Sequence, residues 1–261
     1  MLSLDIAATG MLAQQLNVDV ISNNIANMTT TGYKRQRAQF QDLIYQNKVR
    51  PGTTSSSIGS ILPSGIQLGL GVKPGSVYRI NEQGTLNITG NTYDLAIAGR
   101  GWFQIAMPSG ETGYTRDGSF QINADGAIVN AQGYLLDPSI TVPDNATDVT
   151  ISDSGIVQIK VAGQIATQQI GQIQLATFQN DAGLEAVGNN LFLETDASGA
   201  ATTGNPTDVG FGKLQQGARE VSNVNVVDEI TTMITAQRSY EMNSKVIQTS
   251  DDMLGTLTQL R

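Results

Sequence analysis

Apolar side chains recur at intervals of seven at both ends of this 261-residue chain, and alternate in short runs between them. Near the start, Leu4, Met11, Val18 and Ile25 fall seven apart. Ala7, Gln14, Ile21 and Met28 occupy the complementary positions, Gln14 being the one polar member, and Leu12 and Leu16 widen the stripe. Near the end, Val226, Met233, Tyr240, Ile247 and Leu254 repeat in the same way, flanked by Ile230, Ile234, Val246, Met253, Leu257 and Leu260. Asn225 is a candidate N-cap, with Asp228 three residues on and Glu229 adding negative charge where the helix dipole favours it. The spacing predicts a helix of about 25–35 residues at each end, roughly 40–50 Å long. Two such helices pair most simply with each other, antiparallel or nearly so, as a coiled coil projecting from a body of different texture. A thin two-helix rod leaves one face unspent, and that surplus points to assembly.

The segment between the helices reads differently. Residues 51–66, PGTTSSSIGSILPSGI, are uncharged and rich in Ser, Thr, Gly and Pro; Pro51, Gly52, Ser55, Pro63 and Gly65 mark it as a linker or an extended edge hairpin. From about Val72 to Gly217, short strand-like runs lie between turns such as Pro-Ser-Gly and Asp-Gly. The runs are 102–106, 119–123, 127–129 and 133–136, then 149–151, 156–161, 170–178 and 191–194. The expected class is α+β. Residues 1–32 supply an N-terminal helix, 33–76 a connector with the extended insertion, 77–220 a β-rich domain and 221–261 a C-terminal helix.

Composition narrows the chemistry. The chain has no histidine and no cysteine, which excludes a His-based triad, a thiolate nucleophile, a disulfide framework and the usual zinc sites. No Gly-rich phosphate loop ending in Gly-Lys-Ser/Thr occurs, and Gly99-Arg100-Gly101 reads as a bend at a strand entry. The run NADGAIV from Asn123 lacks the spaced carboxylates of a calcium loop and reads as a hairpin turn. Neither a catalytic residue nor a cofactor or metal is expected. Net charge is −8, and it is uneven: residues 1–50 hold five Lys/Arg against three acids, while residues 51–218 hold six against fourteen. Only Lys34, Arg35 and Arg37 cluster, too little to track a phosphate backbone, so nucleic acid is not an expected partner. No apolar run approaches the ~18 residues of a membrane span. Lys34 is the first basic residue, and Asp5 and Asp19 interrupt the apolar positions before it, which is unlike a secretory signal.

Five stretches carry a resemblance. NNIANMTTTGYKRQRAQFQDLIYQ (Asn23 to Gln46) and SNVNVVDEITTMITAQRSYEMNSKVIQTSDDMLGTLTQL (Ser222 to Leu260) resemble the two terminal signatures of the bacterial flagellar axial proteins of the rod and hook. GRGWFQI (Gly99 to Ile105) and YTRDGSFQINADGAIVNAQG (Tyr114 to Gly133) are similar to that family's body motif. Residues Tyr45 to Ser76 resemble the insertion that marks distal-rod members and that hook members generally lack, with proximal-rod and hook paralogues as the alternative. The resemblance implies a helical tube of many copies, its inner layer built from the terminal helices. It further implies proximal rod proteins below, hook protein above, P-ring and L-ring proteins around it, and delivery by the flagellar type III export apparatus with no cleaved signal peptide. The place implied is the basal body, from periplasm to outer membrane.

On that reading Asn23, Asn24 and Asn27 flank the heptad seam and offer their amides, which both donate and accept, to adjacent copies. Asparagine is a poor helix former, so three within five positions cost stability unless partners use them. Asn243 is expected in the same interface on the second helix. Gly32 is expected to end the first helix in a left-handed conformation, and the basic cluster after it to meet acidic surface of the body. The competing readings are a secreted β-domain binding protein, which calls for an aromatic-lined concave site, and a hydrolase, which calls for convergent carboxylates.

Overall fold

The computed structural model describes residues 2–50, 64–164 and 166–259, with side chains through residue 256. Helix α1 spans Leu2–Ala26 and helix α2 spans Val226–Gln259; between them the described elements are strands, with one short 3-10 turn at Asp181–Gly183. The chain divides into two compact units. One comprises residues 1–25, 36–78 and 225–261, and the other residues 26–35 and 79–224.

In the helical unit the capping signature at α2 forms: the Asn225 side-chain oxygen accepts the Val227 N–H at 3.1 Å, and Asp228 and Glu229 occupy the first turn. Strand Gln36–Asp42 pairs with Val72–Arg79, and Tyr45–Val49 pairs antiparallel with Ile66–Gly69. Those last two strands flank the Ser/Thr/Gly-rich segment on either side. Gly65 lies just ahead of the second of them, whereas Pro51, Gly52, Ser55 and Pro63 fall outside the described residues.

Helix α1 stops at Ala26, six residues before Gly32, so the expected end point was too late. The reason lies in residues 26–35, whose backbone is used by the β unit. Gly32 N–H donates to the Glu220 carbonyl at 2.9 Å, and the Asn190 side chain donates to the Thr31 carbonyl at 3.1 Å. Gly32 does take the left-handed region, at φ 68°, but inside this docked turn.

The β unit centres on Trp102–Ala106, whose first four residues are buried on both faces. Its sheet runs in the order Glu185–Gly188, Leu191–Leu193, Thr112–Thr115, Trp102–Ala106, Leu135–Asp137, Ile128–Val129, Gln121–Ile122. Leu175–Thr177 joins from the side and carries Thr202–Gly204. A second sheet of Ala146–Ile151, Ile156–Val161 and Gln168–Gln172 shows the expected alternation: Val157 and Ile159 point into the core, and Lys160 points out. Two further ribbons join the beginning of the unit to its end, Leu86–Ile88 with Ala218–Glu220 and Leu95–Ala98 with Lys213–Gln216. The core gathers Phe103, Ile105, Phe120, Ile128, Leu136, Ile159 and Leu175, with a separate aromatic group of Trp102, Tyr114, Phe178 and Phe192.

The NADGAIV run is a turn, as expected: the Asn123 side-chain oxygen accepts the N–H groups of Asp125 and Ala127 at 3.0 and 2.8 Å. Residues 170–178, read as one strand, are two, broken between Gln172 and Leu175.

Candidate functional site

The two helices touch along small and polar residues. Ser3 Oγ and Ser250 Oγ lie 3.3 Å apart. Gly10 faces Asn243, whose amide nitrogen would stand 2.8 Å from a Cβ at position 10. Asn24 Nδ2 donates to Glu229 Oε2 at 3.2 Å. These contacts descend α1 as they ascend α2, in steps of seven and fourteen on each helix, which defines one antiparallel register. Ala7, Ala13, Val20, Ile21 and Asn24 are buried on α1, and Glu229, Ala236 and Ser250 on α2.

The line of contact therefore runs one residue away from the heptad of Leu4, Met11, Val18 and Ile25, all of which are only part-buried. Small side chains explain the shift, because they let two backbones approach where Leu or Met would hold them apart. Val226, Met233, Asn243, Ile247 and Leu254 are likewise part-buried, while Ile230 and Tyr240 are exposed. Leu257 belongs to α2 by its backbone. Beside the contact line, Gln14, Gln15, Val18, Gln237, Tyr240 and Glu241 line a groove of about 430 Å³.

Asn24 is engaged on the described chain itself. Its amide is spent within its own chain: Nδ2 donates to the Gln36 carbonyl and Oδ1 accepts the Gln36 N–H, both at 2.8 Å. The side chain thus acts as a strand partner for the first residue of Gln36–Asp42 while holding Glu229 on α2. Asn23 is exposed; Asn27 lies past the helix end, where its oxygen accepts the Thr30 hydroxyl at 3.1 Å, and Met28 is exposed. Replacing Asn24 by Ala strands part-buried backbone groups of Gln36. The expected loss is about 1–3 kcal/mol of helical-unit stability, read by far-UV circular dichroism.

Large apolar side chains of this unit face outward: Leu12 is 66% exposed, Met242 62% and Val227 71%, with Ile230, Ile234, Val246 and Met253 close behind. The hydroxyls among them are already satisfied. Thr231, Thr232, Thr235 and Ser239 each donate to the carbonyl four residues back, at 2.8–2.9 Å. Covering this face would therefore leave none of those donors unpaired.

In the β unit, the basic cluster meets an acid, as expected, but in the interior. Lys34 Nζ is 2.6 Å from Glu220 Oε1, and the Arg116 guanidinium is 3.3 Å from Glu220 Oε2. Arg116 also donates to the Gly99 carbonyl at 2.7 Å, and its guanidinium carbon lies 5.8 Å from the centre of the Trp102 ring. Burial pushes the Lys34 ammonium below its usual range, and Glu220 pulls it partly back. Burial does the same to Arg116. Sequence reading missed Arg116 and Glu220, which stand beside the opposite charges Asp117 and Arg219 and so read as locally paired. Arg35 pairs with Glu82 at 3.9 Å near the surface. Among the described residues, no helix is long and apolar enough to cross a membrane.

Comparison with known proteins decides the family. Residues 4–34 match the model described as flagella basal body rod protein, residues 96–159 that of the flagellar hook protein FlgE/F/G D1 domain, and residues 215–260 that of the flagellar basal body rod FlgEFG protein C-terminal. Over the full length of both chains, the sequence is 62% identical to the flagellar basal-body rod protein FlgG of Caulobacter vibrioides. The chain belongs to the FlgG family of flagellar basal-body rod proteins. The FlgG of Agrobacterium fabrum is 49% identical over 99% of both chains, and that of Bacillus subtilis 39% over 99% of this chain and 98% of its own. The two terminal segments matched in this FlgG-family chain contain Lys34 and Glu220, the two ends of the shortest buried ion pair among the described residues.

Proposed function

We propose that this chain is a non-catalytic structural subunit of the flagellar distal rod. Its copies polymerise into a rigid helical tube that carries motor torque to the hook and filament and passes through the outer rings. The terminal helices, paired as a coiled coil in the register set by Ser3–Ser250, Gly10–Asn243 and Asn24–Glu229, supply the surface by which copies join. Leu4, Met11, Val18, Ile25, Ile230, Met233, Tyr240, Ile247 and Leu254 stand at its margins. The outward-facing apolar residues of the helical unit carry this reading. Each Leu, Ile or Met withdrawn from water contributes about 1.5–3 kcal/mol, so covering half a dozen gives ample driving force for assembly. A contact between different surfaces of identical chains propagates as a helix wherever its rotation does not close into a ring. Partners in this reading are proximal rod proteins, hook protein, the P-ring and L-ring proteins and the type III export apparatus, which delivers the chain without a cleaved signal peptide. Its place is the basal body, from periplasm to outer membrane.

Expression in a motile bacterium deprived of its own FlgG tests the assignment. Restored swimming, with complete rods in isolated basal bodies, is the expected result. Basal bodies that stop short of a distal rod despite normal levels of the protein would contradict it.

A further inference from the structure

We infer that the Glu220 carboxylate is a late-closing latch, which locks the β unit only once residues 26–35 and residues 213–223 have both docked. The chain enters or leaves this unit at residues 26, 35, 79 and 224, and the segments next to these points are stitched together at one place. Lys34 Nζ donates to Glu220 Oε1 at 2.6 Å and to the Glu82 carbonyl at 2.8 Å. The Gly84 N–H donates to the same carboxylate oxygen at 2.8 Å, and Arg116 takes the other at 3.3 Å. Asn223 completes the stitch: its Oδ1 accepts the Arg35 N–H at 2.7 Å, and its Nδ2 donates to the carbonyls of Ile80 and Glu82 at 2.8 and 3.0 Å.

Two physical facts make this a latch as well as a contact. Lys34 and Arg116 are 2% and 6% exposed, and without Glu220 two buried cations would share one interior with neither keeping its direct carboxylate partner and only the weaker influence of Asp181 opposing them. The closure is also long-range. Lys34 and Glu220 are 186 positions apart, Arg116 and Glu220 are 104, and the entropy of closing such loops must be met before the contact rewards it. The strands Lys213–Gln216 and Ala218–Glu220 complete the ribbons begun by Leu95–Ala98 and Leu86–Ile88. A chain present only through residue 212 thus holds two cations without their ion-pair partner and two strands without partners. The unit completes when residues 213–223 arrive, and the carboxylate reports that arrival from both chain directions.

Refolding and unfolding of the full chain, too dilute to polymerise and followed by the fluorescence of its single tryptophan, Trp102, test the order of events. For Glu220→Gln the latch predicts a refolding rate within about two-fold of the parent and unfolding faster by about 100-fold or more. Lys34→Met leaves Glu220 with Arg116 and should unfold about ten-fold faster, again with refolding nearly unchanged; it decides the matter where Glu220→Gln does not refold. Slowed refolding with unchanged unfolding would place the cluster in the folding nucleus and overturn the inference. So would the failure of both variants to refold, or two unchanged rates.

Discussion

Glutamates in place of Leu12 and Met242 together are expected to abolish rod assembly while leaving the isolated chain folded. Both side chains stand mostly in solvent, so their replacement removes little internal packing. Both sit inside helices, where Leu, Met and Glu differ only slightly in propensity. On the proposed assembly the same positions lie against a neighbouring copy, and a carboxylate there must be desolvated without a partner, at a cost of several kcal/mol. That cost recurs in every subunit, so a polymer amplifies what a dimer would tolerate. Swimming and complete rods should be lost in cells carrying the double variant, with the purified chain melting within about 2 °C of the parent. Rods of normal length would show that this face stays in water.

Gly118→Ala is expected to be the most damaging single methyl group in the β unit. Gly118 is buried, and its carbonyl accepts the N–H groups of Leu95 and Phe120 at 2.9 and 3.0 Å. A Cβ at this position would lie 2.7 Å from the Leu95 carbonyl carbon and inside the contact radius of its oxygen. The obstacle is backbone, with no flexible side chain to move aside. Leu95 begins the fully buried stretch that pairs with Lys213–Gln216, so a shift there disturbs that ribbon as well. Roughly 3 kcal/mol or more should be lost, which for a unit of this size lowers the melting temperature by on the order of 10 °C. Trp102 fluorescence on heating measures it directly, and an unchanged melting curve would mean that the approach of Leu95 is not required.

What could be read from the sequence divides along physical lines. Local signals were legible. The seven-residue repeats marked both helices, Asn225 capped α2, and alternation located strands such as Ile156–Val161. Choices settled by distant partners were not. Residues 27–32 were expected to finish the first helix, yet hydrogen bonds from residues 31–35 to Glu220, Asn190 and Asn223 draw Ala26–Arg35 into the β unit. Leu95–Ala98 is a short apolar run with no alternation, and it becomes a strand because Lys213–Gln216 lies beside it. The large residues of the heptad announced an apolar stripe, but the helices meet on Ser3, Gly10 and Asn24, where bulk is least or an amide is satisfied within the chain. Asn24 read as an amide offered outward because nothing local reveals that Gln36 returns to meet it. Lys34 was seen as a charge in search of acid, but Glu220 lies too far along the chain for spacing to name it.

The whole account depends on other copies covering the outer face of the helix pair. The chain contains no cysteine, so Leu12→Cys and Met242→Cys each place one thiol on that face in an otherwise unreactive protein. Labelling rates with a water-soluble maleimide, measured on the dilute chain and on assembled rods, compare the two states directly. The account predicts fast reaction in the dilute chain and at least about ten-fold slower reaction in rods at both positions; equal rates in the two states would contradict it.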